Sequence, residues 1–140
     1  MDNQKIFFHV TDQELAPSDI LYENIINIDN YQDNSIQEVT IQNMCDYLKE
    51  MDVPLAIQKI FQKISPGGRI YVQGSDLKQL CVALCFNMLD ESMVKNILYP
   101  DKQSIHNMAD VLSYLRGAGF KIEQKKYINI VEYSIIAYKP

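Results

Sequence analysis

The histidines and cysteines are the side chains of this sequence best suited to chemistry near neutral pH. His9 stands close to Asp12 and His106 close to Asp110, so either imidazole could act as a general base with a carboxylate to orient it. No spacing joins one pair to the other, and a structural or capping role is the simpler reading of both. Cys45, Cys81 and Cys85 never form a Cys-x-x-Cys unit. Cys81 and Cys85 lie four apart in an apolar run, which predicts small buried hydrophobes kept reduced in the cytoplasm. The sequence has no metal-ligand spacing, no nucleophile elbow and no phosphate loop. Its Gly67-Gly68 pair precedes a strand, with the helix on the wrong side for cradling phosphate.

The elements that must position these residues follow from periodicity. "KIFFHV" (Lys5–Val10) is a short apolar run of β-formers and reads as a buried first strand. Ile25-Ile26 could form a brief strand, and "NYQDNS" a turn capped by its own side chains. "IQEVTIQ" (Ile36–Gln42) alternates β-branched and polar residues, which predicts the next strand. A helix then starts near Asp52 and Pro54, with Leu55, Ile57, Ile60, Phe61 and Ile64 on one face. Gly67-Gly68 is expected to end it and to turn the chain into the strand "RIYVQG" (Arg69–Gly74). Ser75 or Asp76 caps the following helix, which is apolar nearly all round to Leu89 and so should be covered on more than one side. "SMVKNIL" fits a short helix. Met108, Val111, Leu112 and Leu115 mark another, stopped at Gly117 or Gly119. The tail predicts an antiparallel pair, Phe120–Lys126 and Ile128–Tyr138. The alternation is that of an α/β fold in a single domain, residues 1–140.

Composition agrees with a packed domain: the chain has 140 residues, of which 47% are hydrophobic and 22% charged. Its net charge is −5 and its 13 basic residues are scattered. Binding to nucleic acid through phosphate neutralisation needs clustered cations and is not expected. No apolar run approaches the ~18 residues of a membrane span, so a cytoplasmic protein without membrane contact is expected.

Three segments, in order, resemble the class I S-adenosylmethionine-dependent methyltransferases, in particular their short type-11-like members. "YQDNSIQEVTIQNMCDYL" is similar to that family's F-x-D-N-S turn, strand and following L-E-H-L segment. "ISPGGRIYVQGSDL" resembles its L-K-P-G-G strand, and "VLSYLRGAGFKIEQ" its A-G-F ending. The resemblance implies a reduced Rossmann-like methyltransferase sheet, mostly parallel with a C-terminal antiparallel hairpin. It also implies S-adenosylmethionine over the carboxyl ends of the first strands, and no metal. By position it points to Asp46 in place of the family's acid, and Asp19 or Asp29 could stand in for the ribose acid. His9, Asp12, Gln42 and Asn43 would lie along the cofactor, with Gln73, Ser75 and Asp76 at the substrate rim and Asp46 and Asp76 orienting substrate.

The family's glycine turn is absent after "KIFFHV". "TDQELAPSD" stands there, and residues 1–66 contain no glycine. A Cβ at every position keeps backbone from approaching a cofactor closely. The stretch from Val10 to Ile25 is also too short for the family's first helix, a second strand and then a third strand, so one or two strands should be missing. The first strand would then lie at an open edge. That predicts a homo-oligomer, or docking on a larger protein, through Ile6–Val10 and Leu77–Leu89. Two functions follow: a degenerate, non-catalytic binding or assembly module, or a divergent methyltransferase acting on a small molecule, glycan or protein.

Overall fold

A computed structural model describes residues 4–9, 21–98 and 102–140. Val10, Asp12 and Asp19, and the side chain of His9, lie outside the described residues. The strands are β1 (Lys5–His9), β2 (Leu21–Asn24), β3 (Ile36–Gln42), β4 (Ile64–Ser75), β5 (Lys121–Tyr127) and β6 (Glu132–Tyr138). The helices are α1 (Asp52–Lys63), α2 (Leu77–Cys85), α3 (Glu91–Leu98) and α4 (Met108–Ala118), and 3₁₀ turns occupy Ile25–Asn30 and Met44–Tyr47. One six-stranded sheet has the order β2-β1-β3-β4-β6-β5. β2, β1, β3 and β4 run parallel, and β6 is inserted antiparallel between β4 and β5. The α/β fold with a mostly parallel sheet and a terminal hairpin is therefore present.

Alternation explains which face is covered. Ile6 and Phe8, Val39 and Ile41, Ile70 and Val72, and Ile135 and Ala137 are buried, each pair two residues apart on its strand. They pack with Val53, Ile57 and Ile60 of α1 and with Val111, Leu112 and Leu115 of α4. Each such side chain contributes about 1.5–3 kcal/mol on burial. The face of α1 starts at Val53 rather than Leu55, which is 57% exposed. Ile64, expected on that helix, already belongs to β4 and pairs with Ile36.

Three further expectations are corrected. β1 is not an open edge: Ile6 pairs with Leu21 on one side and Val39 on the other. The second neighbour comes from the four residues before Ile25-Ile26, while Ile25-Ile26 themselves open a 3₁₀ turn because the Asn24 side chain accepts from Ile26 N–H at 3.1 Å. The outer strands are β2, which is short, and β5, whose Lys121, Lys125 and Lys126 are exposed charges that discourage edge pairing. Second, Gly67-Gly68 does not end α1. The helix stops at Lys63, and the glycines lie inside β4, where the β3 register shifts between Ile36 and Glu38. Third, α2 is covered on one side only. Leu80 and Ala83 join Val131 in a small second cluster, whereas Val82, Leu84, Cys81 and Cys85 are exposed. The pattern of α2 shows hydrophobicity all round, but only one stripe of it has a neighbour.

Candidate functional site

The chain moves from β1 to β2 on one side and then crosses to β3 on the other, so strand order reverses between β1 and β3. Ligands of open α/β sheets lie beyond the carboxyl ends of the strands at such a point. β3 ends there on Gln42, which is exposed, and Asn43 turns the chain with φ 56°. This left-handed conformation is tolerated best by Asn among side chains with a Cβ. Asn43 donates its N–H to the Gln73 carbonyl at 2.8 Å, and its own carbonyl accepts from Asp46 N–H at 3.1 Å. Its Oδ1 is buried and has no hydrogen-bond partner among the described residues.

The turn that follows carries Asp46, 1% exposed. The segment 102–106 closes over it. Lys102 Nζ lies 3.2 Å from Asp46 Oδ2, an ion pair whose angles fall short of a hydrogen bond. Gln103 and Ser104 donate their N–H groups to the Asp46 carbonyl at 2.7 and 3.1 Å. Ser104 Oγ lies 2.7 Å from the Leu48 carbonyl, 3.0 Å from that of Cys45 and 2.8 Å from His106 Nε2. A hydroxyl has one proton and carbonyls only accept, so that proton goes to a carbonyl and His106 Nε2 carries the hydrogen donated to Ser104. Burial raises the pKa of Asp46 above the usual carboxylate range, opposed by Lys102 and then His106. Cys45, buried beside it, is pushed up to about 12 by burial and by Asp46, so it stays a thiol.

Asp76 caps α2, as its position before the helix predicts, accepting from Gln79 N–H at 3.0 Å. Its second oxygen accepts from Met108 N–H at 2.9 Å and from the Tyr127 hydroxyl at 3.1 Å. The carboxylate thus fastens α2, α4 and β5 together, and both oxygens are engaged. Ser75 beside it is buried, and Gln73 donates to Glu132 at 3.2 Å. Asp110 accepts from the N–H of Asn107 at 3.2 Å, which makes it a helix cap rather than a partner for His106. His106, 2% exposed, meets Asp76 through a β-bridge and Tyr114 edge to face.

Asp29 lies apart from this group, paired with Lys59 at 2.9 Å. It borders a groove of about 610 Å³ between the first 3₁₀ turn and α1, lined by Asn24, Ile28, Leu48 and Leu55 among others. The structure therefore gathers Asn43, Gln73, Asp46 and Asp76 near the carboxyl ends of β3 and β4, and separates Asp29 from them. Tyr127 completes the cluster with Lys102 and Ser104, of which the last two carry no signal in the sequence. The stretch holding Lys102 and Ser104 has no periodicity, and most of its bonds go to backbone. Among the described residues no group of His, Cys, Asp and Glu could hold a metal ion.

No protein-family model matches the chain, and no curated protein matches it. Solved structures do. It is similar to an S-adenosylmethionine-dependent methyltransferase from Archaeoglobus fulgidus, with 11% identity and a TM-score of 0.68 over 99% of this chain and 87% of that one. A second such enzyme, from Methanosarcina mazei, has 14% identity and a TM-score of 0.63, covering 98% and 82%. An O-methyltransferase family protein from Burkholderia thailandensis has 12% identity and a TM-score of 0.64 over 86% of this chain, which spans only 36% of that protein. The fold is that of the class I methyltransferases.

Among the described residues, the acids that the resemblance would set along S-adenosylmethionine are engaged elsewhere. β2 ends on the amide of Asn24, which is turned to Ile26 N–H, where a ribose-binding acid would be needed. Asp29, Asp46 and Asp76 each face a donor of their own chain.

Proposed function

We propose that this chain is a methyltransferase-like domain that does not transfer methyl groups and serves as a binding or assembly module. The observation that carries the reading is the closure of segment 102–106 over Asp46. A carboxylate that orients or deprotonates a substrate must come within hydrogen-bond reach of it. Asp46 is 1% exposed and already matched by Lys102. Asp76, the other acid at this end of the sheet, holds three donors. The absence of glycine from residues 1–66 supports the same reading.

A divergent methyltransferase is the second reading, and one observation favours it. Asn43 Oδ1 is a buried acceptor without a partner among the described residues, at the point where a ligand of this fold would sit. The compartment proposed is the cytoplasm, in keeping with three free cysteines. No helix among the described residues is long and apolar enough to cross a membrane.

Calorimetric titration of the full chain with S-adenosylmethionine, and with its demethylated product, separates the two. The expected result is no heat and no thermal shift at millimolar ligand. Saturable micromolar binding that Asn43→Ala abolishes would establish the second reading instead.

A further inference from the structure

We propose that α2 is the contact surface of a two-fold dimer of this chain, packing antiparallel on the same helix of a second copy. The outward side of α2 carries Leu77, Cys81, Val82, Leu84 and Cys85, all exposed. It runs on into Phe86, 74% exposed, and Met88, 53% exposed. Together these side chains present on the order of 500 Å² of apolar surface, near the upper end of what monomers leave uncovered. A standard interface needs ~800 Å² a side, which the polar rim of the helical hairpin formed by α2 and α3 would complete.

Charge selects the occupant. Lys78 stands in the first turn of α2, and no charged residue follows until Asp90 and Glu91 just past its far end. Neither Lys78 nor Glu91 has an ion-pair partner among the described residues. One end of the apolar strip is therefore positive and the other negative. An antiparallel arrangement places Lys78 of each copy beside Glu91 of the other and opposes the two helix dipoles. The point midway between Lys78 and Glu91 falls between Leu84 and Cys85, so the axis that pairs those charges brings Cys85 near its own counterpart. A membrane surface suits the strip poorly, because anionic lipid would meet Asp90 and Glu91 in a chain of net charge −5. The dimer requires nothing of the cofactor site and stands whether or not S-adenosylmethionine binds.

Sedimentation equilibrium of the full chain, without cofactor, is the test. A dimer dissociating in the micromolar range is expected, weakened ~10-fold or more by Leu84→Glu. Lys78→Glu and Glu91→Lys should each weaken it, and the two combined in one chain should restore most of the affinity. A Cys81→Ser chain treated with a bis-maleimide should yield a covalent dimer through Cys85, since Cys45 is buried. A protein that stays monomeric at about 100 μM, or a dimer indifferent to Leu84→Glu and to both charge reversals, overturns the proposal. So does binding of the monomer to anionic vesicles through this helix.

Discussion

Asp46 is a carboxylate that burial pushes toward its protonated form and Lys102 holds toward its charged one. Because its folded pKa lies above the ordinary 3.8, the folded protein binds this proton more tightly than the unfolded chain does. The stability that comes from protonated Asp46 is fully present below the unfolded value and is lost as pH rises through the folded one. Wherever Asp46 is charged, the fold carries a buried carboxylate whose main compensation is Lys102. Lys102→Met should cost about 3 kcal/mol at pH 7, the usual effect of stranding a buried charge. The loss should shrink near pH 4, where the acid can take up a proton, and should largely vanish in an Asp46→Asn background. Urea unfolding at the two pH values measures this. Equal losses at both would mean that Lys102 acts through packing of its stem alone.

Among the elements, the start of β4 shows how two adjacent glycines do different work. Gly67 adopts φ +82°, and a Cβ there would meet nothing within 4 Å. Gly67→Ala should cost the conformational penalty of about 1–2 kcal/mol and no more. At Gly68 a Cβ would lie 2.6 Å from Ile64 Cγ2 and 2.7 Å from the Gln37 carbonyl oxygen. The carbonyl belongs to β3 and cannot step aside without breaking the strand pairing. Gly68→Ala should therefore cost more, about 3 kcal/mol, and thermal unfolding of both variants gives the ranking. Equal losses would mean that the bulge relaxes freely. The sequence placed the helix-to-strand junction at these glycines, whereas the helix ends at Lys63 and the irregularity arises from register against Ile36 and Glu38, residues distant in sequence. β2 was missed for a similar reason. Leu21–Asn24 has too little alternation to announce a strand, and pairing with β1 supplies what local preference does not. α2 was legible as a helix with Asp76 as its cap, whereas its exposure was not, since hydrophobicity does not say whether a neighbour exists.

Across the whole molecule, the resemblance of "SPGG" and "AGF" segments carried the architecture correctly, and of the expected rim residues Gln73 lies beside Asn43, whose N–H its carbonyl accepts. The closure of that rim could not be read, because segment 102–106 is fixed by backbone carbonyls of Asp46, Cys45 and Leu48, which have no sequence signature. The buried apolar residues fall into two clusters. The main cluster joins the sheet to α1 and α4, while Leu80, Ala83 and Val131 form the whole buried part of the second cluster. α3 buries no side chain. Local opening of α2 and α3 should thus cost about 2–3 kcal/mol, against ~5–15 kcal/mol for global unfolding. Amide hydrogen exchange at rising urea should show α3 exchanging with almost no denaturant dependence, and β3, β4 and β6 only through the global transition. Because the proposed dimer covers α2 but does not add to the core, protection of α2 should rise with protein concentration while that of β4 stays constant. Protection of α3 equal to that of β4 in dilute solution would show that the hairpin is held by contacts other than these, and the division into a strong and a weak unit would be abandoned.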